Sequence, residues 1–432
     1  MEITSNSTGV AAEGSGWSRH DTMWVLGIYG CAVGGGSLFW PVSLGLHGFW
    51  PMVILSLLAF PITYFPYIAL ARYVLAGSSR EGHDGNVLDT TNEFLGPNWG
   101  KFLTTTYFAT VFPGMMIYTI TITNTIIDFS RTQLHYDGLS RWVVAPICVA
   151  ALMLIVRYGT NVVVRAMGFI VAPFIISIVV FGFMAAPHWN STMLATMTDF
   201  GGASGLALNV WKGLPLCVFA FSFTSITSSF VVAQKKHYGA RAVRKVPQIM
   251  FVATLLAVST MLFFSWSCIF ALSPAELAQV KASNLTVLSF LARKFDTPAI
   301  AIASQLIVFT AVIKSFLAHY LATEESARSF GRTLFGLSER TLHGANFSRL
   351  IVGLVFLTTT TSAIFNLDVV DIITVALVPV SVFIVYFLPL YSFQKIDALK
   401  KYRGRPTNLL VFAVGVVCLV SGAIAVAGKF WH

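Results

Sequence analysis

The stretch Gly30-Cys-Ala-Val-Gly-Gly-Gly-Ser37 stands in the middle of the first long apolar run of the chain. A glycine in a helix interior costs about 1 kcal/mol relative to alanine, so three in a row predict a backbone that unwinds there. Unwinding frees carbonyls on one side of the break and N–H groups on the other. The competing reading is a small-residue face for close helix contact, but that packing spaces its small residues a turn apart.

The rest of the chain says what surrounds the break. Of the 432 residues, 56% are hydrophobic and only 11% charged, and mean hydropathy is +0.75. Globular domains carry about 25% charged residues, so the chain reads as a membrane protein. At bilayer depth, free backbone groups are tolerated only where they line a cavity or are buried in protein. An interrupted first helix therefore points to a transport site at the break. The net charge of +10 does not indicate nucleic acid, because the basic residues cluster between apolar runs, where cytoplasmic loops carry them. Residues 1–18 are polar, lack a signal-peptide pattern, and read as a disordered cytoplasmic tail. The five cysteines lie inside apolar runs without metal-ligand spacing. They read as packing residues, and no metal or cofactor is expected.

A spanning helix needs about 20 apolar residues. Such runs fall near 22–46, 50–75, 100–128, 141–157, 163–186, 205–233, 248–272, 298–323, 349–366, 369–392 and 408–428. The expected fold is an all-α membrane protein of about eleven transmembrane helices, one transporter domain over 19–432. Asn366, Leu367 and Asp368 predict a tight turn between the ninth and tenth runs. Lysine and arginine fill alternate loops: Lys235, Lys236, Arg241, Arg244 and Lys245 in one, Lys395, Lys400, Lys401, Arg403 and Arg405 in another. Loop 187–204 has neither. This pattern places the N-terminus in the cytoplasm and, with an odd helix count, the C-terminus in the periplasm. Segment 273–297 opens Ser-Pro-Ala-Glu, an N-cap with proline at the first helical position, and reads as a short helical cap over an outer vestibule.

Ten of the runs divide into two fives, 22–186 and 205–392, with 408–428 left over. An odd number of helices in each makes the halves inverted. The sixth run should then break like the first. Its middle carries Ser222, Thr224, Ser225, Thr227, Ser228 and Ser229 but no glycine. Clustered hydroxyls favour local turns.

Several stretches together are similar to the hydroxy/aromatic amino acid permease family, in particular its bacterial inner-membrane serine/threonine permeases. They are Trp24–Pro41, Thr121-Ile-Thr-Asn-Thr125, Ser228-Ser-Phe-Val-Val232, Leu272-Ser-Pro-Ala275, Val287-Leu-Ser289, Lys314-Ser-Phe-Leu-Ala-His-Tyr-Leu321 and Lys401-Tyr-Arg-Gly-Arg405. The resemblance implies the inverted five-helix repeat of amino acid–polyamine–organocation transporters, with discontinuous first and sixth helices, and proton-coupled uptake. The chain departs from the pattern at Ala318, Ala322 and Thr224-Ser-Ile226, differences that bear on the substrate rather than the class.

A zwitterionic amino acid asks for an anion site, a cation site and a side-chain pocket. The helix resuming after Gly36 points its N-terminus at the cavity, which suits a carboxylate. The N–H groups of Gly34, Gly35, Gly36 and Ser37 are assigned that role. Carbonyls near Tyr29–Cys31, beside Ala32, and around Phe219–Phe221 would face the ammonium. Tyr118 and Ser222 are candidates for a hydroxyl partner. Phe221 and Phe223 read equally as pocket wall or ordinary core.

Ionisable residues inside a membrane are functional hypotheses by default. Lys314 lies too deep in the eighth run for easy snorkelling. In carriers of this fold, helix eight lies beside the cytoplasmic half of helix one, and sodium-driven relatives hold a cation between them. Lys314 is thus the expected proton-coupling group, against the alternative of a lysine that permanently joins the two helices. His319, about a turn further on, reads as a structural hydrogen bonder. The leading expectation is proton symport of a small hydroxylated amino acid such as serine or threonine. An aromatic substrate or sodium coupling keeps the same fold. An integral membrane enzyme would need a nucleophile or metal partner that the sequence does not offer.

Overall fold

The computed structural model describes residues 16–78, 85–157, 160–198, 201–295 and 298–430, with 157, 160–169 and 428–430 described by backbone alone. Residues 1–15, most of the expected tail, lie outside the described residues. The described chain is helical and contains no strand.

The first span is broken where the glycines stand. Helix α1 (Arg19–Ala32) ends at Val33, whose backbone is extended. A single 3-10 turn over Gly36–Phe39 then leads into α2 (Trp40–Leu46). The two pieces are bent by 53°. Gly48 turns the chain at φ +88°, where a side chain would be strained, into α3 (Phe49–Ala76). Then come α4 (Val87–Leu95), α5 (Pro97–Gln133), α6 (Arg141–Arg157) and α7 (Thr160–Ala185).

The second half repeats this plan upside down. Helices α8 (Gly202–Ala220) and α9 (Thr224–Tyr238) form its broken first span, followed by α10 (Ala242–Phe270). Two short helices, α11 (Pro274–Ala282) and α12 (Val287–Phe295), precede the long α13 (Pro298–Phe335). The half closes with α14 (Ala345–Ile364) and α15 (Val369–Lys395), and α16 (Pro406–Phe430) stands outside the repeat. The correspondence is visible in detail. α4 and α11 are both nine residues long, each opens on a capping box, Asn86 with Asp89 and Ser273 with Glu276, and each follows the second span of its half. The third spans, α5 with 37 residues and α13 with 38, both begin at proline and pack along each other.

Among the described residues, nine helices are long and apolar enough to cross a membrane, the bent pair α1–α2 makes a tenth, and α6 is a shorter apolar helix. The shorter helix falls on the fourth expected run, 141–157. Asn366, at φ +50°, makes the expected turn, and Asp368 caps α15 through Asp371 N–H at 2.8 Å. Within α15 the helix widens to π turns at Ile372–Leu377 and Phe383–Phe387, on either side of Pro379. Proline removes a backbone donor and crowds the preceding turn, a common cause of such local rewinding.

Helix α1 lies against α10, α7, α9 and α13. Its N-terminus is held at the basic end of the molecule, where the α9–α10 and α15–α16 connections lie. Ser18 caps α1 in a capping box with Asp21. Asp21, fully buried, accepts from Tyr238 Oη at 2.6 Å and from Lys245 Nζ at 2.7 Å. At the opposite end, α11 packs on α2, as a cap over this face would.

Candidate functional site

Breaking α1 leaves carbonyls of its last turn without helical partners. Val33 N–H still closes on Tyr29 O at 2.8 Å, but Gly34 N–H turns away to Ser37 Oγ at 2.9 Å, so Gly30 O loses its usual donor. Lys314 of α13 fills the gap. Its ammonium donates to Gly30 O at 2.7 Å and also to Val33 O. It lies 4.5 Å above the Phe174 ring of α7, a cation–π contact. The side chain is 1% exposed. An unpaired charge there would cost several kcal/mol, which these carbonyls and the ring offset. One lysine thus joins α1, α7 and α13 at the break.

The neighbouring Ser315 Oγ accepts from Gly35 N–H at 3.1 Å. Ser37 Oγ donates to Gly34 O at 2.7 Å, and Ser37 N–H closes on the same carbonyl at 3.1 Å. Of the four N–H groups assigned to a carboxylate, those of Gly34, Gly35 and Ser37 therefore have acceptors within the protein. The N–H of Gly36 is not among these. None of the three glycines sits in the left-handed region. They are required for space instead. A Cβ at Gly34 would overlap the Ser315 hydroxyl, one at Gly35 would lie 2.9 Å from Tyr118 Cδ1, and one at Gly36 would lie 2.6 Å from Phe219 Cε1.

The second break contains no glycine, and its backbone likewise stays at negative φ: Phe221 is at −114° and Phe223 at −129°. It is organised by Tyr67 of α3. The Tyr67 hydroxyl lies 2.8 Å from both Ser222 Oγ and Thr224 Oγ1 and accepts from Phe223 N–H at 3.0 Å. The Phe223 ring stacks on Tyr67 at 3.8 Å between centroids.

A cavity of about 50 Å³ lies between the two breaks, lined by Cys31, Ala32, Gly34, Gly36 and Ser37 from the first and Phe219, Ser222, Thr224 and Ser225 from the second. Helices α5, α13 and α15 complete it with Thr110, Val111, Tyr118, His319, Leu377 and Ser381. It is room for a few waters or a small polar molecule (a water needs about 10–15 Å³). No lining side chain is acidic. Tyr118 Oη lies 3.3 Å from His319 Nδ1, which is itself 3.0 Å from Ser315 O. Cys31 Sγ is 3.1 Å from Ser225 Oγ, so the two breaks touch.

Of the expected site residues, Ala32, Gly34, Gly36, Ser37, Tyr118 and Ser222 line this cavity, while Gly35, Phe221, Phe223 and Lys314 do not. Phe221 packs edge-on to Trp40 at 6.1 Å. Phe223 belongs to the Tyr67 stack, and Lys314 sits behind the wall. Phe219, expected to contribute its carbonyl, lines the cavity, whereas sequence reasoning missed Tyr67, Thr110, Val111, Leu377 and Ser381. Thr110 stands about two turns before Tyr118 on the same helix and had that periodic signal. Leu377 and Ser381 had none, since α15 reads as a plain apolar run.

Comparison with known proteins places the chain. The tryptophan/tyrosine permease family matches over residues 22–420. The chain is 34% identical over 423 residues to the serine transporter SdaC of Escherichia coli strain K12, covering 97% of this chain and 98% of that protein. It is 33% identical over 438 residues to the threonine/serine transporter TdcC of Escherichia fergusonii, with the same coverage of each. Among solved structures, a mutant manganese transporter of Eremococcus coleocola aligns at a TM-score of 0.56 and 14% identity, over 97% of this chain and 90% of that one. A Na⁺-coupled sialic acid symporter in its substrate-bound outward-open state aligns at 0.53 and 11%, over 93% and 88%. At such identities the structures speak for the fold alone. The chain belongs to the tryptophan/tyrosine permease family and is a multi-pass membrane transporter rather than an enzyme.

Proposed function

We propose that the protein is a secondary active transporter that imports a small hydroxylated amino acid, serine or threonine, across the bacterial inner membrane by proton symport. The observation that carries this reading is the bond from Lys314 to the carbonyl of Gly30 at the first break. A protonated amine there holds α1 to α13, and a neutral amine would hold it less well. Proton release as the helices separate would couple proton movement to opening without any carboxylate.

The cavity supports the substrate. The 3-10 turn that opens at Gly36 and runs into α2 offers the N–H of Gly36 at its start, which suits a carboxylate. Ser222, Ser225 and Tyr118 offer partners to a hydroxyl side chain, and the small volume favours serine over an aromatic residue. Both relatives are named for serine or threonine plus serine. The basic loops support an N-terminus in the cytoplasm and a C-terminus in the periplasm. The Asp21–Lys245–Tyr238 cluster then closes the cytoplasmic end.

The test is uptake of radiolabelled serine by proteoliposomes under an imposed pH difference, in sodium-containing and sodium-free buffer. Accumulation driven by pH and indifferent to sodium supports the proposal. Accumulation that requires sodium, or stronger competition by tryptophan than by threonine, replaces it with the sodium-coupled or aromatic reading.

A further inference from the structure

An apolar groove of about 790 Å³, sharing no lining residue with the central cavity, opens between the first turns of α5, the last turns of α15 and the first turns of α16. Phe102, Phe383, Leu409 and Phe412 line it and are exposed, Leu409 by 72%. Toward the basic end, Trp99 and Tyr391 stack at 5.1 Å, the residue types that anchor at headgroup depth.

The polar mouth of the groove is cationic and unneutralised. Arg405 lines it. Three cations gather on the ring of Tyr402: Arg72 at 4.6 Å, Arg405 at 5.0 Å and Lys401 at 5.3 Å. The one acid in the 395–405 connection, Asp397, is already paired with Lys400 at 2.6 Å. Among the described residues no carboxylate pairs with Arg72, Lys401 or Arg405. Like charges packed this closely repel unless an anion sits among them.

We infer that this groove is a binding site for one anionic phospholipid, its acyl chain along Phe102, Phe383 and Phe412 and its phosphate between Arg405 and Lys401. An apolar slot of bilayer-facing aromatics that ends in an aromatic pair and then in paired cations follows the profile of a lipid molecule from tail to headgroup. A neutral lipid would leave the cations unanswered, and a free phosphate would leave the slot unfilled.

The test is native mass spectrometry of the delipidated full chain titrated with phosphatidylglycerol or phosphatidylcholine of equal chain length. The expected result is one tightly held phosphatidylglycerol per chain and a preference over phosphatidylcholine. Lys401→Gln with Arg405→Gln should cut that preference by roughly thirtyfold, about fivefold per charge, while retaining chain binding. Leu409→Trp, at an exposed position, should fill the slot and weaken both lipids alike. Equal binding of the two lipids by the unaltered chain, or an unchanged preference in the double variant, overturns the assignment. So does displacement of the lipid by millimolar inorganic phosphate, or a dimer that excludes lipid from this face.

Discussion

The ammonium of Lys314 lies 2.7 Å from the carbonyl of Gly30, an oxygen that would be spoken for in an unbroken helix. The break in α1 and the buried charge on α13 are therefore one feature: each supplies what the other lacks. Removing either should disturb transport in a distinguishable way.

Lys314→Gln keeps a donor but cannot release a proton. Uphill uptake and its pH dependence should be lost, with counterflow exchange of substrate retained. A mutant that still accumulates serine against a gradient under an imposed pH difference would show that Lys314 only joins the helices.

Gly35→Leu should leave the protein in the membrane and reduce uptake to background. Its first side-chain carbon would already press on Tyr118 at 2.9 Å and meet Val312 at 3.5 Å, and leucine adds further carbons beyond it. Gly36→Ala, with a 2.6 Å approach to Phe219, should weaken substrate affinity without loss of insertion. Normal uptake by the leucine variant would reduce the glycine triplet to a packing surface.

If the start of the 3-10 turn at Gly36 receives the carboxylate, serine amide and ethanolamine should fail to compete with serine uptake even at large excess. Competition by either would relocate the substrate's anchoring group, since no lining side chain carries a positive charge other than a protonated His319.

Asp21 and Lys245 form a buried pair at 2.7 Å. Removing one partner of such a pair costs about 3–5 kcal/mol, and every 1.4 kcal/mol of it that falls on the closed state alone raises opening about tenfold. Asp21→Asn should thus speed labelling of Cys31, the one cysteine not buried, by an impermeant thiol reagent applied at the basic end. An unchanged labelling rate would mean that this cluster does not gate the path.

At the opposite end, burial raises the Glu276 carboxyl, but hydrogen bonds from Lys294 and Ser273 outweigh it and hold the carboxyl below its ordinary value. The bonded carboxylate stabilises α11 above the unfolded-state value, and that support is lost as pH falls through the lower folded value. Hydrogen exchange of α11 should accordingly quicken in acid, and Glu276→Gln should flatten that pH response. A variant with the same acid response as the unaltered chain would place the titrating group elsewhere.

The sequence by itself determined the spans, the first break, the turn at Asn366 and the depth of Lys314. Each of these is a local signal: lipid imposes a run of apolar residues, and within it a glycine triplet or a charge stands out without reference to any other part of the chain. The tertiary structure decided what those signals were for. Three adjacent glycines read locally as freedom to unwind, yet their backbone is at negative φ, and their need is for Tyr118, Phe219 and Ser315 to approach. Hydroxyls of Ser37 and Ser315 take N–H groups that looked available to a substrate. The second break, with no glycine to announce it, depends on Tyr67, 155 residues away in sequence from Ser222. Ser381 and Leu377 reach the cavity from a helix whose composition says only that it is apolar. A break needs a partner for every freed backbone group, and in a folded chain those partners come from wherever packing brings them, which local sequence does not record.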